Sequence, residues 1–110
     1  MTPGRKDDTD KPRVELVPPC FIRAAARALA NGASEYVDAD GPNYLKVENG
    51  EARYYAAAMR HLMAFHEGEA ADKKSGLHTL DHAAACVAIL IHRAHERARK
   101  ADSGAAANAP

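Results

Sequence analysis

The sequence predicts an all-α fold, a small bundle of three principal helices, from three observations. Apolar residues recur at three- and four-residue spacing in three separate stretches. No stretch alternates apolar and polar residues over the length of a strand. Proline, glycine or asparagine punctuates the ends of the periodic stretches.

The first helix is expected over about Pro19–Ala33, because Pro18-Pro19 suits a first turn and the stripe Ile22, Ala25/Ala26, Leu29, Ala33 follows. Asn31-Gly32 is a candidate break. A turn-rich stretch from Asp38 to Asn43, then Asn49-Gly50, leads to a second helix over about Glu51–Glu67, stopped by Gly68. Its inward seam reads Tyr54, Ala58, His61, Phe65, which sets a histidine among core positions. The third helix is expected after Ser75-Gly76, over about Leu77–Lys100, with Leu77, Leu80, Ala84, Val87, Ile91 and Ala94 as a heptad-like core seam. The short connection makes the last two helices antiparallel. Residues 1–13 are charged and 101–110 are rich in small residues, so disordered tails are expected on either side of a single domain over 14–100.

A chain of 110 residues holds one core. Lys+Arg and Asp+Glu are equal at 15 each, which disfavours a charge-driven nucleic-acid binder. Hydrophobic residues reach 46%, but many are alanine, with no Trp and two Phe, so each buried residue removes little area from water. A homo-oligomer is expected for that reason. Cys20 and Cys86 form neither a disulfide framework nor a zinc knuckle, and the N-terminus lacks a signal-peptide layout, which points to the cytoplasm. The longest apolar run, Ala83 to Ile91, is about half of the ~20 residues of a membrane span.

The densest polar cluster lies between Arg60 and His82: Arg60-His61, His66, Glu67, Glu69, Asp72, His78, Asp81 and His82. An antiparallel pair gathers these at one end. His61 and Asp81 stand in or beside apolar seams, where an unpaired polar group costs ~1–3 kcal/mol, so each needs a partner or ligand. Glu69 and Asp72 brought together repel unless a cation or proton lies between them. A divalent ion held by Glu69, Asp72, His78, Asp81 and His82 is therefore expected, Mg²⁺ or Mn²⁺ if oxygens dominate and Zn²⁺ or Fe if imidazoles do. The alternative is structural, with Asp72 or Ser75 as a helix cap and a His61–Asp81 hydrogen bond across two helices. Glu48-x-x-Glu51 and Glu69-x-x-Asp72 resemble the paired carboxylate motifs of MazG-like nucleotide pyrophosphohydrolases. Asn49-Gly50 marks a turn inside the first pair, however, and Val47 stands where a further Glu is usual.

The blocks Lys11-Pro12-Arg13-x-x-Leu16-x-Pro18-Pro19, Gly32-Ala33-x-x-Tyr36, Asn43-Tyr44-x-Lys46, Arg60-His61-Leu62, Gly68-Glu69-x-x-Asp72-x-x-Ser75-Gly76 and Asp81-His82-Ala83, in this order, resemble the N-terminal domain of phage and prophage dATP/dGTP diphosphohydrolases. The resemblance spans about Lys11 to Ile91. It implies a helical, phage-type protein of the host cytoplasm that handles deoxynucleotides. In longer relatives the region precedes a MazG-like module, which these 110 residues do not contain, so any catalysis is expected from the domain itself. The family segment commonly reads Ser-Gly-x-x-His-x-x-His. Here Thr79 takes the first histidine position and His78 sits one place earlier, about 100° away around a helix.

On this reading the chain is a metal-dependent dATP/dGTP phosphohydrolase, with Glu69, Asp72 and Asp81 as catalytic carboxylates on Mg²⁺ or Mn²⁺. Lys46, Arg60 or Lys73 would offset phosphate charge, Tyr36 or Tyr44 would stack on the base, and His61 would complete the nucleotide site. The alternatives are a non-catalytic protein that sequesters a nucleotide or nucleotide-derived immune signal, and a helical oligomeric interaction module without a ligand.

Overall fold

The computed structural model describes residues 2–35 and 41–107. Within them stand three α-helices, α1 (Pro19–Glu35), α2 (Gly50–His66) and α3 (Thr79–Ala107), with 3₁₀ turns at Val14–Leu16 and Asn43–Leu45. Among the described residues the β structure is an isolated bridge between Ala71 and His78, so the fold is all-α. None of their helices is long and apolar enough to cross a membrane.

The helix ends follow local chemistry. Asn49 takes up a left-handed conformation, φ 54°, which Asn tolerates better than most residues, and turns the chain into α2. Gly68 closes that helix with φ 98°; its N–H donates to the Phe65 carbonyl and the Glu69 N–H to that of Ala64, a Schellman motif. α3 begins at Thr79, two residues later than expected, because Leu77 and His78 still belong to the returning connection. There Asp72 N–H donates to the Leu77 carbonyl at 2.7 Å and Thr79 N–H to that of Ala70 at 2.8 Å. His78 caps the helix, its Nδ1 accepting the Leu80 N–H at 3.0 Å. The helix continues past Lys100 to Ala107 through an alanine-rich stretch that favours helix.

α2 and α3 run antiparallel, as the contacts Phe65–His78, His61–His82 and Glu51–Arg93 show. α3 is the central helix, with α2 along one side and α1 along another. The buried apolar residues are Ala25 and Ala28 of α1, Ala58 of α2, and Ala83, Ala85, Cys86 and Ile89 of α3. Small side chains let the helices approach closely and leave little apolar area in the core. The expected α3 seam is therefore corrected. The buried positions of α3 are Thr79, Asp81, Ala83, Ala85, Cys86 and Ile89, with Asp81 turned to Arg27 of α1 and Ala85, Cys86 and Ile89 beside Ala28 of α1, while Leu80, Val87 and Ile91 face solvent.

One arginine ties the segment before α2 to α3. Arg93 donates from Nε and Nη2 to the two Glu51 carboxylate oxygens, at 3.2 and 3.1 Å, and from Nη1 to the Tyr44 carbonyl at 2.6 Å. Its guanidinium lies on Gly50, where any Cβ would collide with it. Arg97 reaches Glu51 from the next turn, at 2.6 Å.

Candidate functional site

α1, the 41–44 segment and α2 stand around α3 so as to leave a cleft of about 560 Å³. Its walls are mostly apolar: Ala28, Leu29 and Gly32 from α1, Tyr54 from α2, Ala85, Cys86 and Ile89 from α3, with Tyr44 closing one side. Tyr44 is held by its carbonyl on Arg93 and by its hydroxyl on His92 Nδ1, at 2.6 Å. Burial pushes the Tyr44 phenol and the Cys86 thiol up, so both stay protonated at neutral pH.

His82, Ala28 and Gly32 also line a second hollow of about 280 Å³, to which the polar residues Asn31, His61, Asp72, Lys74 and Ser75 are added. The Asp72 carboxylate accepts the backbone N–H groups of Ser75 and Lys74, at 2.8 and 3.1 Å, which hold it below the ordinary aspartate range. Ser75 Oγ and His82 Nε2 are 2.6 Å apart, and Asp72 lies 3.9 Å from the same nitrogen. The His61 and His82 rings stack with centroids 4.9 Å apart. Burial, then the neighbouring His82, pushes His61 down; Asp72 opposes this, Arg60 reinforces it and Glu69 opposes it. His61 is thus a neutral imidazole at pH 7.

This has a measurable consequence. Since His61 binds a proton less readily when folded, the unfolded chain takes up protons first, and the stability present above pH ~6.5 is lost progressively below it. The melting temperature is expected to fall between about pH 7.5 and 5.5, and His61→Gln to flatten that decline. An equal decline in the variant would contradict the assignment.

The structure brings His61, Asp72 and His82 together, with Glu69 close enough to act on His61 electrostatically. Glu69 also uses its backbone, the carbonyl accepting the Thr79 hydroxyl at 3.0 Å. Asp81 instead turns to α1, where its carboxylate accepts from Arg27 Nε at 3.0 Å and Nη2 at 3.4 Å. His78 is exposed against Phe65. Among the described residues no three His, Cys, Asp or Glu side chains converge to hold a metal ion, so Glu69, Asp72, His78, Asp81 and His82 do not form one ligand set. Arg60 lies with Arg53 in a shallow hollow that shares Tyr54 and Asn43 with the cleft. Lys46 and Lys73 are exposed outside the cleft lining, and Tyr36 lies outside the described residues.

Thr79 is 1% exposed, a packing and hydrogen-bonding residue. Sequence reasoning misses Tyr54 and Ser75 as site residues. Tyr54 carried a signal, its place beside His61 on the α2 seam, and Ser75 another, as a cap candidate three residues after Asp72. Arg27 carried none.

Neither a curated protein nor a solved structure matches the chain. A family profile described as "dATP/dGTP diphosphohydrolase, N-terminal" matches residues 1–103, nearly the whole sequence. The match spans the blocks from Lys11 to Ala83, of which Gly32, Asn43 and Tyr44 line the cleft and His61, Asp72 and Ser75 the neighbouring hollow: the chain belongs to the dATP/dGTP diphosphohydrolase N-terminal domain family.

Proposed function

We propose that the cleft seats a purine deoxynucleotide, with the base between Tyr54 and Tyr44 and the phosphates toward the polar end at His61, His82 and Lys74. The observation that carries this reading is the adjacency itself: an apolar cleft of about 560 Å³, within the usual size range of ligand sites, shares His82, Ala28 and Gly32 with a hollow that hydrogen-bonding side chains line. The family description supports the nucleotide. Arg60, beyond Tyr54, adds positive charge at the α2 lip.

For hydrolysis, the group suited to accept a proton from an attacking water is His61, neutral at pH 7 beside Asp72 and His82. The described side chains assemble no metal-holding set of their own. The Mg²⁺ or Mn²⁺ of this proposal is thus the counter-ion that a triphosphate carries, and no step is assigned to it. Sequestration without turnover is the second reading, favoured by Asp81, whose carboxylate is neutralised by Arg27 and so withdrawn from the expected catalytic set.

Calorimetric titration with dATP and dGTP against pyrimidine deoxynucleotides tests the seat. Purine binding is expected, weakened about tenfold by Tyr54→Ala, the loss of one aromatic stacking contact of ~1.4 kcal/mol. Circular dichroism checks that the variant stays helical. A wild-type chain indifferent to every purine nucleotide would refute the seat, and turnover with and without Mg²⁺ separates hydrolysis from sequestration.

A further inference from the structure

The α3 residues that the heptad pattern marks as core lie on the outside. Leu80, Val87 and Ile91 are exposed, Ile91 by 65%, and Ala84 and Ala94 continue their line. A second apolar line runs along α2 through Tyr55, Met59 and Leu62, with Tyr55 exposed by 61%. The helices are antiparallel in the register set by His61–His82 and Glu51–Arg93. At 100° per residue in that register, the two lines point to the same side of the α2–α3 layer. α1 and the cleft lie on the other side, since Asp81, Ala85 and Ile89 are turned to them. No Lys, Arg, Asp or Glu stands on either line.

We propose that this α2–α3 face pairs with the same face of a second copy of the chain, across a two-fold axis, to form a four-helix core. Three observations select a second copy. The 4-3-4-3 spacing of Leu80, Ala84, Val87, Ile91 and Ala94 fits a helical partner with the same repeat, which this face itself supplies. The core of one copy is drawn from alanines, Cys86 and Ile89, and a chain of this size with so little apolar burial gains much from pairing. The face is about 25 Å long over α2 and about 20 Å wide over two helices, a plan area of roughly 500 Å². With protruding side chains counted, that approaches the ~800 Å² per partner of a stable interface. The uncharged lines offer nothing to a strongly charged partner. Both clefts stay open in such a pair, because they face away from the contact.

Light scattering and sedimentation of the full chain test this. A dimer, or a multiple of two, is expected at micromolar concentration, with a melting temperature that rises between about 1 and 100 µM. Ile91→Glu is expected to weaken self-association at least about tenfold while helical circular dichroism persists, since position 91 is already in water in the single copy. Tyr55→Lys on α2 provides an independent variant should Ile91→Glu fail to fold, and the same loss is expected. A wild-type monomer at about 100 µM overturns the proposal. So does a monomer that instead sediments with lipid vesicles, or an assembly that both variants leave intact.

Discussion

Replacing Arg27 by alanine is expected to lower the melting temperature on the order of 5–10 °C, more than replacing Asp81, its partner, by alanine. The asymmetry follows from burial. Asp81 is almost wholly enclosed, with 8% of its side chain exposed, whereas the Arg27 side chain is 54% exposed. When Asp81 is lost, the guanidinium returns to water at little cost. When Arg27 is lost, a carboxylate stays enclosed between α1 and α3 without its counter-charge. The double variant Arg27→Ala/Asp81→Ala should therefore be more stable than Arg27→Ala alone. A thermal series in which Asp81→Ala is the worse single variant, or the double variant the worst, would show that the pair does not act in this way.

Ile89→Ala is expected to cost about 2–4 kcal/mol. Ile89 is the largest aliphatic side chain among the buried apolar residues, and it forms part of the cleft floor beside Ala85 and Cys86. The other buried apolar residues are alanines and Cys86, short side chains with little freedom to fold over a vacated volume, so the space stays open. For a domain of this size the loss is a large fraction of a total of ~5–10 kcal/mol. Urea unfolding should show the midpoint move sharply down at an unchanged slope. A shift below about 0.5 kcal/mol would mean that the floor is plastic and that stability resides elsewhere, in contacts between copies above all.

The helices were legible in the sequence because caps and stops are local. Pro18-Pro19, Asn49-Gly50 and Gly68 announce ends that backbone geometry then realises within a residue or two. Which face of α3 is covered was not legible. Periodicity marks where large apolar residues line up, and Leu80, Val87 and Ile91 do so outside, while the covered faces are built from alanines that resemble every other alanine in the chain. In the site, His61 and His82 were legible as imidazoles near apolar seams, and Asp72 as a carboxylate in the tight connection. Asp81 was legible as a group that required a partner, but its partner is 54 residues earlier, and no spacing rule links positions that only packing brings together. The cleft was hidden for the same reason, since α1 and the 41–44 segment reach it from distant parts of the chain.

The Arg93 junction has a consequence for how this chain can drift in sequence. A single guanidinium lies on the bare backbone of Gly50, grips Glu51 with two N–H groups and suspends the Tyr44 carbonyl from a third. A Cβ at position 50 meets the mobile end of Arg93 and makes it shift; a guanidinium displaced from this seat leaves the Tyr44 carbonyl without that donor and Glu51 with Arg97 as its cationic partner. Positions 50, 51 and 93 are consequently not free to vary one at a time. In related chains they should change as a group, a glycine at 50 surviving wherever an arginine stands at 93.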